Sequence, residues 1–194
     1  MPKFLVSLLS LNNMRILTVR KKIPVFETYL DPDQWGLSAA VDRHREKYPE
    51  TYRSNVNAWH SSWDTHLINS DFMPFVNTVL KMCEFVSSEY YEHPMNFLCS
   101  DMWVMQYEEG DSARLHSHYP SDFSCAYYVD VEDDCAPIVF EKRLYVTPQK
   151  GKLVIFPGIL EHEVPKTKYK RTVISMNVNR DIPTERLPVL DQPI

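Results

Sequence analysis

The chain has 194 residues, 44% of them hydrophobic and 24% charged, and a net charge of −5. That length supports one domain with a sizeable core and is short for two. Basic residues are scattered except for the run KTKYKR at 166–171, which reads as a solvated hairpin turn, so nucleic acid is not an expected partner.

The first stretch, MPKFLVSLLSLNNMRILTV, carries one lysine and then a short apolar run. It lacks a small-residue cleavage site and is too short to span a bilayer, so neither a signal peptide nor a membrane anchor is expected. Residues 1–13 read as a dispensable extension, and Met14 is an equally good start. Cys83, Cys99, Cys125 and Cys135 are widely spaced with no CxxC pair, which fits a reducing cytoplasm better than a disulfide framework or a thiolate zinc site. Cys83 and Cys125 lie among apolar residues and read as small buried hydrophobes.

IPVFETYL at 23–30 is strand-like, and DPDQWGLSAAVDRHREKY at 31–48 predicts a first helix. From Phe75, apolar residues recur at 75, 76, 79, 80, 83, 86 and 90, the stripe of an amphipathic helix. The pattern changes near residue 100. DMWVMQYE, ARLHSH, FSCAYYVD, APIVFE, RLYVT, KLVIFP and RTVISMNVN are short and rich in β-branched or aromatic residues, and turn signals separate them. Strands at this spacing predict a sandwich or barrel. The expected organisation is a single domain over 1–194, with 14–99 as mainly helical support and 100–180 as a β-barrel core. The acidic loop DVEDDCAP at 130–137 reads either as a solvated hairpin or as a lid.

Within ARLHSH, His116 and His118 stand at i and i+2, so on a strand both leave one face and can converge on one ion. Two polar side chains facing solvent are the alternative. His44, His60, His66 and His93 have no such arrangement and read as surface, core or supporting residues. In RTVISMNVN, Arg171, Val173, Ser175 and Asn177 share one face, opposite Thr172, Ile174, Met176 and Val178. Arg171 with Ser175 can clamp a carboxylate, the guanidinium offering a bidentate fork and the hydroxyl a third donor. A surface charge is the alternative for Arg171, weakened by its polar same-face partner. Trp59, Trp63 and Trp103 read as core packing before substrate walls. Asn177 fits a pocket wall or a barrel-interior contact equally.

The stretch 103–179 resembles the catalytic core of the 2-oxoglutarate- and Fe(II)-dependent oxygenases of the prolyl-hydroxylase-like kind. That resemblance implies an α+β chain whose core is a double-stranded β-helix, a jelly-roll or cupin-like barrel, with N-terminal helices packed against it. The family signature is His-x-Asp/Glu, a distal His, and an Arg or Lys some nine or ten residues further on. His162 matches the distal histidine and Arg171 the basic residue. By resemblance Ser175 and Tyr128 also hold the cosubstrate, with Tyr107 of MQYEEGD as a further contact. A closer similarity is to small 2OG-Fe(II) oxygenases of marine bacteria and phages, with the pattern GD…HxH…SxxYY, then GxLxxFP…H…R. It covers residues 100–180, and NAWHSSWDTHL at 57–67 only loosely.

The departure is His118, which stands where the family has a carboxylate. Three readings follow: His116, His118 and His162 hold the metal; or Asp122 supplies the carboxylate and His118 supports it; or the site is a three-histidine cupin-type dioxygenase that uses no 2-oxoglutarate. A non-catalytic metal-binding barrel is the remaining alternative. The first implies Fe(II) and 2-oxoglutarate as cofactors and O2 with a small-molecule or peptide substrate as partners. The product is hydroxylated, succinate and CO2 are released, and no side-chain acid or base is required.

Overall fold

The computed structural model describes residues 22–182 apart from 53 and 93, and omits the side chains of 90 and 91. The extension at 1–13, the start at Met14 and His93 therefore lie outside the described residues. Two antiparallel sheets face each other. Strands β1 (Phe26–Tyr29), β2 (Val56–Asn57), β3 (Trp59–His60), β4 (Phe97–Tyr107), β5 (Ser112–His116), β6 (Phe123–Val131), β7 (Ile138–Phe140), β8 (Leu144–Val146), β9 (Lys152–Pro157), β10 (His162–Val164) and β11 (Arg171–Arg180) build them. The larger sheet has the order β1-β9-β6-β11-β4-β3 and the smaller β2-β5-β10-β7-β8. The strand pattern predicts a sandwich or barrel, and the arrangement is the double-stranded β-helix that the family resemblance implies.

Helices α1 (Leu37–Lys47), α2 (Thr65–Ile68) and α3 (Met73–Tyr91) precede the long strands, with one turn of 3-10 helix at Ser70–Phe72. Helix α1 starts later than the sequence predicts. Pro32 and the Asp31 side chain, which accepts from the Asp33 N–H at 3.0 Å, favour a turn there, and Gly36 takes a left-handed φ of 59°. It ends one residue before Tyr48, which precedes Pro49. Helix α3 opens with Pro74 in its first turn, where the missing N–H has no intrahelical partner to lose.

The larger sheet separates two cores. Its outer face meets the buried stripe Phe75, Val76, Val79 and Cys83 of α3. Its inner face meets the smaller sheet. The alternation is visible in β4 and β6. Met102, Val104 and Tyr127 join the helical core, whereas Trp103, Met105 and Tyr128 join the inter-sheet core. Strand β6 is consequently buried from Phe123 to Val129, since both its faces are covered. Each aromatic or branched side chain so buried stabilises the fold by about 1.5–3 kcal/mol. In β11, Ile174, Met176 and Val178 turn to the helices and Val173 to the interior, the two faces read from the sequence.

The short strands β2 and β3 were not expected. They sit at the edges of opposite sheets, so residues 56–60 cross from one sheet to the other and close that side of the sandwich. The four cysteines are free, with Cys83 and Cys125 buried. Among the described residues no helix is long and apolar enough to cross a membrane.

Candidate active site

Strands β5 and β10 pair so that His116 lies directly opposite His162. His118 joins them by a different route from the one expected. Strand β5 ends at His116, and His118 sits in the following turn instead of on the pleat. Its backbone N–H donates to the Gly158 carbonyl at 2.7 Å, and its own carbonyl accepts from Ser121 at 2.9 Å. That turn, rather than strand alternation, brings its ring inward. The three rings converge, with centroid separations of 4.3 Å (116–162), 5.0 Å (116–118) and 5.1 Å (118–162). One nitrogen from each lies within 4.8 Å of the others.

Backbone carbonyls orient two of the rings. His116 Nδ1 pairs with the Arg114 carbonyl at 2.7 Å and His162 Nδ1 with that of Leu160 at 3.2 Å. A carbonyl can only accept, so Nδ1 carries the proton and Nε2 the free lone pair. The His118 ring is held by packing, against Trp103 (5.6 Å) and Phe156 (6.2 Å). Burial lowers the pKa of all three. His118 falls to about 3 through burial and then the neighbouring His116. His162 also falls to about 3, through burial and then both other imidazoles. Three neutral imidazoles with inward lone pairs form a donor set suited to a divalent first-row cation. Asp122 stands apart, since Arg180 holds both its oxygens: Nε at 2.9 Å and the backbone N–H at 2.8 Å.

The same cavity, about 330 Å3, is lined by Tyr107, Tyr128, Arg171 and Ser175. Pairing explains their shared face: Arg171 is opposite Tyr107, and Ser175 opposite Trp103 on one side and Ala126 on the other. Arg171 is 3% exposed, donates from Nη1 to the Ala136 carbonyl and lies over the Tyr107 ring at 4.4 Å. Its Nε is buried without a hydrogen-bond partner, and no carboxylate pairs with it among the described residues. A buried cation left this way is strongly unfavourable until an anion joins it. Burial raises the Tyr128 pKa to about 12 against the opposing pull of Arg171, so its hydroxyl stays a donor. Tyr107 is raised for the same first reason.

The loop 130–137 is not a free flap. The Glu132 N–H donates to the Lys170 carbonyl at 3.0 Å, and the Ala136 N–H to Thr167 Oγ1 at 3.3 Å, so it is pinned to the segment preceding β11. Asn177 does line the cavity, but its amide is also held by Asp101 (3.1 Å) and Ser124 (3.2 Å). Trp59 belongs to the helical core, whereas Trp103 and Trp63 line the cavity. Asn55 and Val56, unassigned from the sequence, line it too, as does His60, which the sequence left as a surface, core or supporting residue. The aromatic density of 57–63 was the available signal, but two-residue strands carry too little periodicity to orient it.

No protein-family model and no curated protein matches the sequence. Solved structures do match in shape. A Pseudomonas putida prolyl-4-hydroxylase superposes with TM-score 0.63 at 16% identity, covering 81% of this chain and 93% of its own. A Trichoplax adhaerens prolyl hydroxylase in complex with a hypoxia-inducible-factor peptide gives 0.60 at 11% identity, covering 81% and 83%. The non-heme α-ketoglutarate-dependent epimerase SnoN of nogalamycin biosynthesis gives 0.62 at 12%, covering 80% and 77%. The fold is therefore the double-stranded β-helix of the 2-oxoglutarate-dependent Fe(II) oxygenases. Prolyl hydroxylases are among the solved proteins that share it.

Proposed function

We propose that this protein is an Fe(II)- and 2-oxoglutarate-dependent dioxygenase, with His116, His118 and His162 as the metal ligands. Arg171, Ser175, Tyr128 and Tyr107 form the cosubstrate anchor. The observation that carries the reading is a buried guanidinium without an acidic partner among the described residues, sharing one cavity with three converging neutral imidazoles. When bound, iron and 2-oxoglutarate supply oxidative hydroxylation of a carbon, with release of succinate and CO2. The chain supplies the rest. Arg171 neutralises the distal carboxylate, and Tyr128, protonated by virtue of its raised pKa, donates to it. Phe156, Trp103 and Ile138 keep water from the cavity wall. Three neutral ligands leave the metal's +2 charge intact, so the cosubstrate dianion would bring the metal–cosubstrate complex itself to neutrality.

Among the described residues no carboxylate joins the converging histidines, which favours a second reading, a three-histidine dioxygenase that binds its substrate directly. Arg171, which has no acidic partner among the described residues, weighs against it. An anaerobic titration separates the two: Fe(II) followed by 2-oxoglutarate is expected to raise a weak visible charge-transfer band and, in air, slow succinate release. Iron binding with no response to 2-oxoglutarate supports the second reading, and no iron binding removes both. The four free cysteines support a reducing, cytoplasmic setting.

A further inference from the structure

The segment that closes one side of the sandwich does more than join two sheet edges. Val56 and His60 come from it and Asn55 and Trp63 flank it, and all four line the cavity beside Trp103 and the histidine cluster. Asn55 is anchored through its backbone carbonyl, which accepts from the Arg114 N–H at 3.0 Å, yet its Nδ2 is buried with no partner among the described residues. A buried amide donor left unpaired is unfavourable by a kilocalorie or more until an acceptor arrives. His60 is 1% exposed and donates from Nδ1 to the Ser61 carbonyl at 2.5 Å, which leaves its Nε2 as an acceptor. Its ring is nearly parallel to Trp103, 9° and 5.9 Å apart, and lies 5.0 Å from Trp63. Trp63 is 38% exposed, at the rim, with Tyr52 edge-on 6.0 Å away.

The charge inventory narrows what this wall can meet. Arg171 is the only formally charged side chain lining the cavity among the described residues. A charged group entering beside Asn55 would meet no counter-ion among the described residues and would be desolvated alone. The volume, about 330 Å3, is at the small end of ligand cavities, which run from about 300 to 1,000 Å3. With a dicarboxylate inside, the remaining space is that of one ring or one side chain.

We infer that Asn55, His60, Trp63 and Trp103 form the substrate subsite, and that it selects an uncharged ring bearing a carbonyl for the Asn55 amide. The ring lies against the Trp63–His60–Trp103 wall, and a ring N–H beside the carbonyl is met by His60 Nε2. This inference rests on the dioxygenase reading, since it takes the Arg171 end of the cavity to be filled by the cosubstrate.

Matched pairs of small rings test it, each pair differing by one carboxylate: 2-pyrrolidinone against pyroglutamate, and uracil against orotate. Binding is read by tryptophan fluorescence and saturation-transfer NMR on the full chain loaded with Zn(II) and 2-oxoglutarate. The neutral member of at least one pair is expected to bind ten-fold or more tighter than its carboxylated partner. Asn55→Ala should weaken it about five- to ten-fold, the loss of one buried hydrogen bond. Trp63→Ala, at an exposed position that tolerates truncation, should abolish most of the fluorescence response and weaken binding as well. Zn(II) and 2-oxoglutarate titrations of each protein show separately whether the metal and cosubstrate sites stand. Equal affinity for both members of each pair, no binding of any ring to a protein that binds metal and cosubstrate, or unchanged affinity in both variants overturns the inference.

Discussion

Gly158 and Ser121 approach so closely that a Cβ on Gly158 would lie 2.3 Å from the Ser121 carbonyl oxygen. Both belong to turns that position an imidazole. The Gly158 carbonyl accepts from the His118 N–H, its own N–H donates to Asp122 at 3.2 Å, and its turn leads into His162. The contact is with backbone, so neither side can yield without moving a histidine. Gly158→Ala is expected to lower stability by about 1–3 kcal/mol, in the manner of an overpacked site, and to weaken Zn(II) or Fe(II) binding about ten-fold or more. Calorimetric metal titration beside urea denaturation checks both. Unchanged metal affinity would show that the two turns are positioned independently.

The ligand assignment makes a contrast between neighbours. His116→Ala, His162→Ala and His118→Ala should each reduce metal affinity on the order of 100-fold, since each removes a donor from a three-donor set. Asp122→Ala should leave it unchanged, because that carboxylate is committed to Arg180. Metal affinity that survives His118→Ala but falls with Asp122→Ala would reverse the assignment of the third ligand.

For the anchor, Arg171→Ala is expected to weaken 2-oxoglutarate binding about 30- to 100-fold, as the loss of charge-assisted hydrogen bonds worth about 2–3 kcal/mol. Arg171→Lys should recover only part of this, because a point charge cannot reproduce the fork. Tyr128→Phe should weaken the cosubstrate about five-fold by removing one donor. Metal titration of the same variants should stay at the wild-type value, which separates an anchor defect from a folding defect.

Acid sensitivity follows from the buried imidazoles. His44, His60, His66, His116, His118 and His162 all have pKa values lowered from 6.5 by burial, His118 and His162 to about 3. Between those values the unfolded chain binds more protons than the folded one, so stability rises with pH across the window and is lost as pH falls through it. The urea midpoint of the metal-free protein should therefore drop steadily below about pH 6.5. A midpoint independent of pH there would mean that these rings charge freely in the folded state.

Much of the barrel was legible in the sequence because short alternating runs between turn residues leave little freedom in where strands lie. KLVIFP and RTVISMNVN correspond to β9 and β11 nearly residue for residue. His118 was found as a partner of His116 for a reason that does not hold: the strand ends first, and a turn does the orienting. Where α1 begins was misread because apolar periodicity continues through a segment whose Pro32 and Gly36 impose turn geometry. The Ala136 carbonyl that receives Arg171 is 35 residues away in the chain, and nothing local marks it as a partner. The crossing segment at 56–60 escaped for want of length, although it supplies part of the cavity wall.

Held by the Ala136 carbonyl on one side and the Tyr107 ring on the other, the Arg171 guanidinium is a fixed endpoint. A fixed endpoint opposite a fixed cluster of three histidines acts as a ruler for the molecule stretched between them. A 2-oxo diacid one methylene shorter, oxaloacetate, falls short of one end, and one a methylene longer, 2-oxoadipate, must buckle. Both should compete with 2-oxoglutarate at least ten-fold less well, whereas a swinging arginine would accept all three alike.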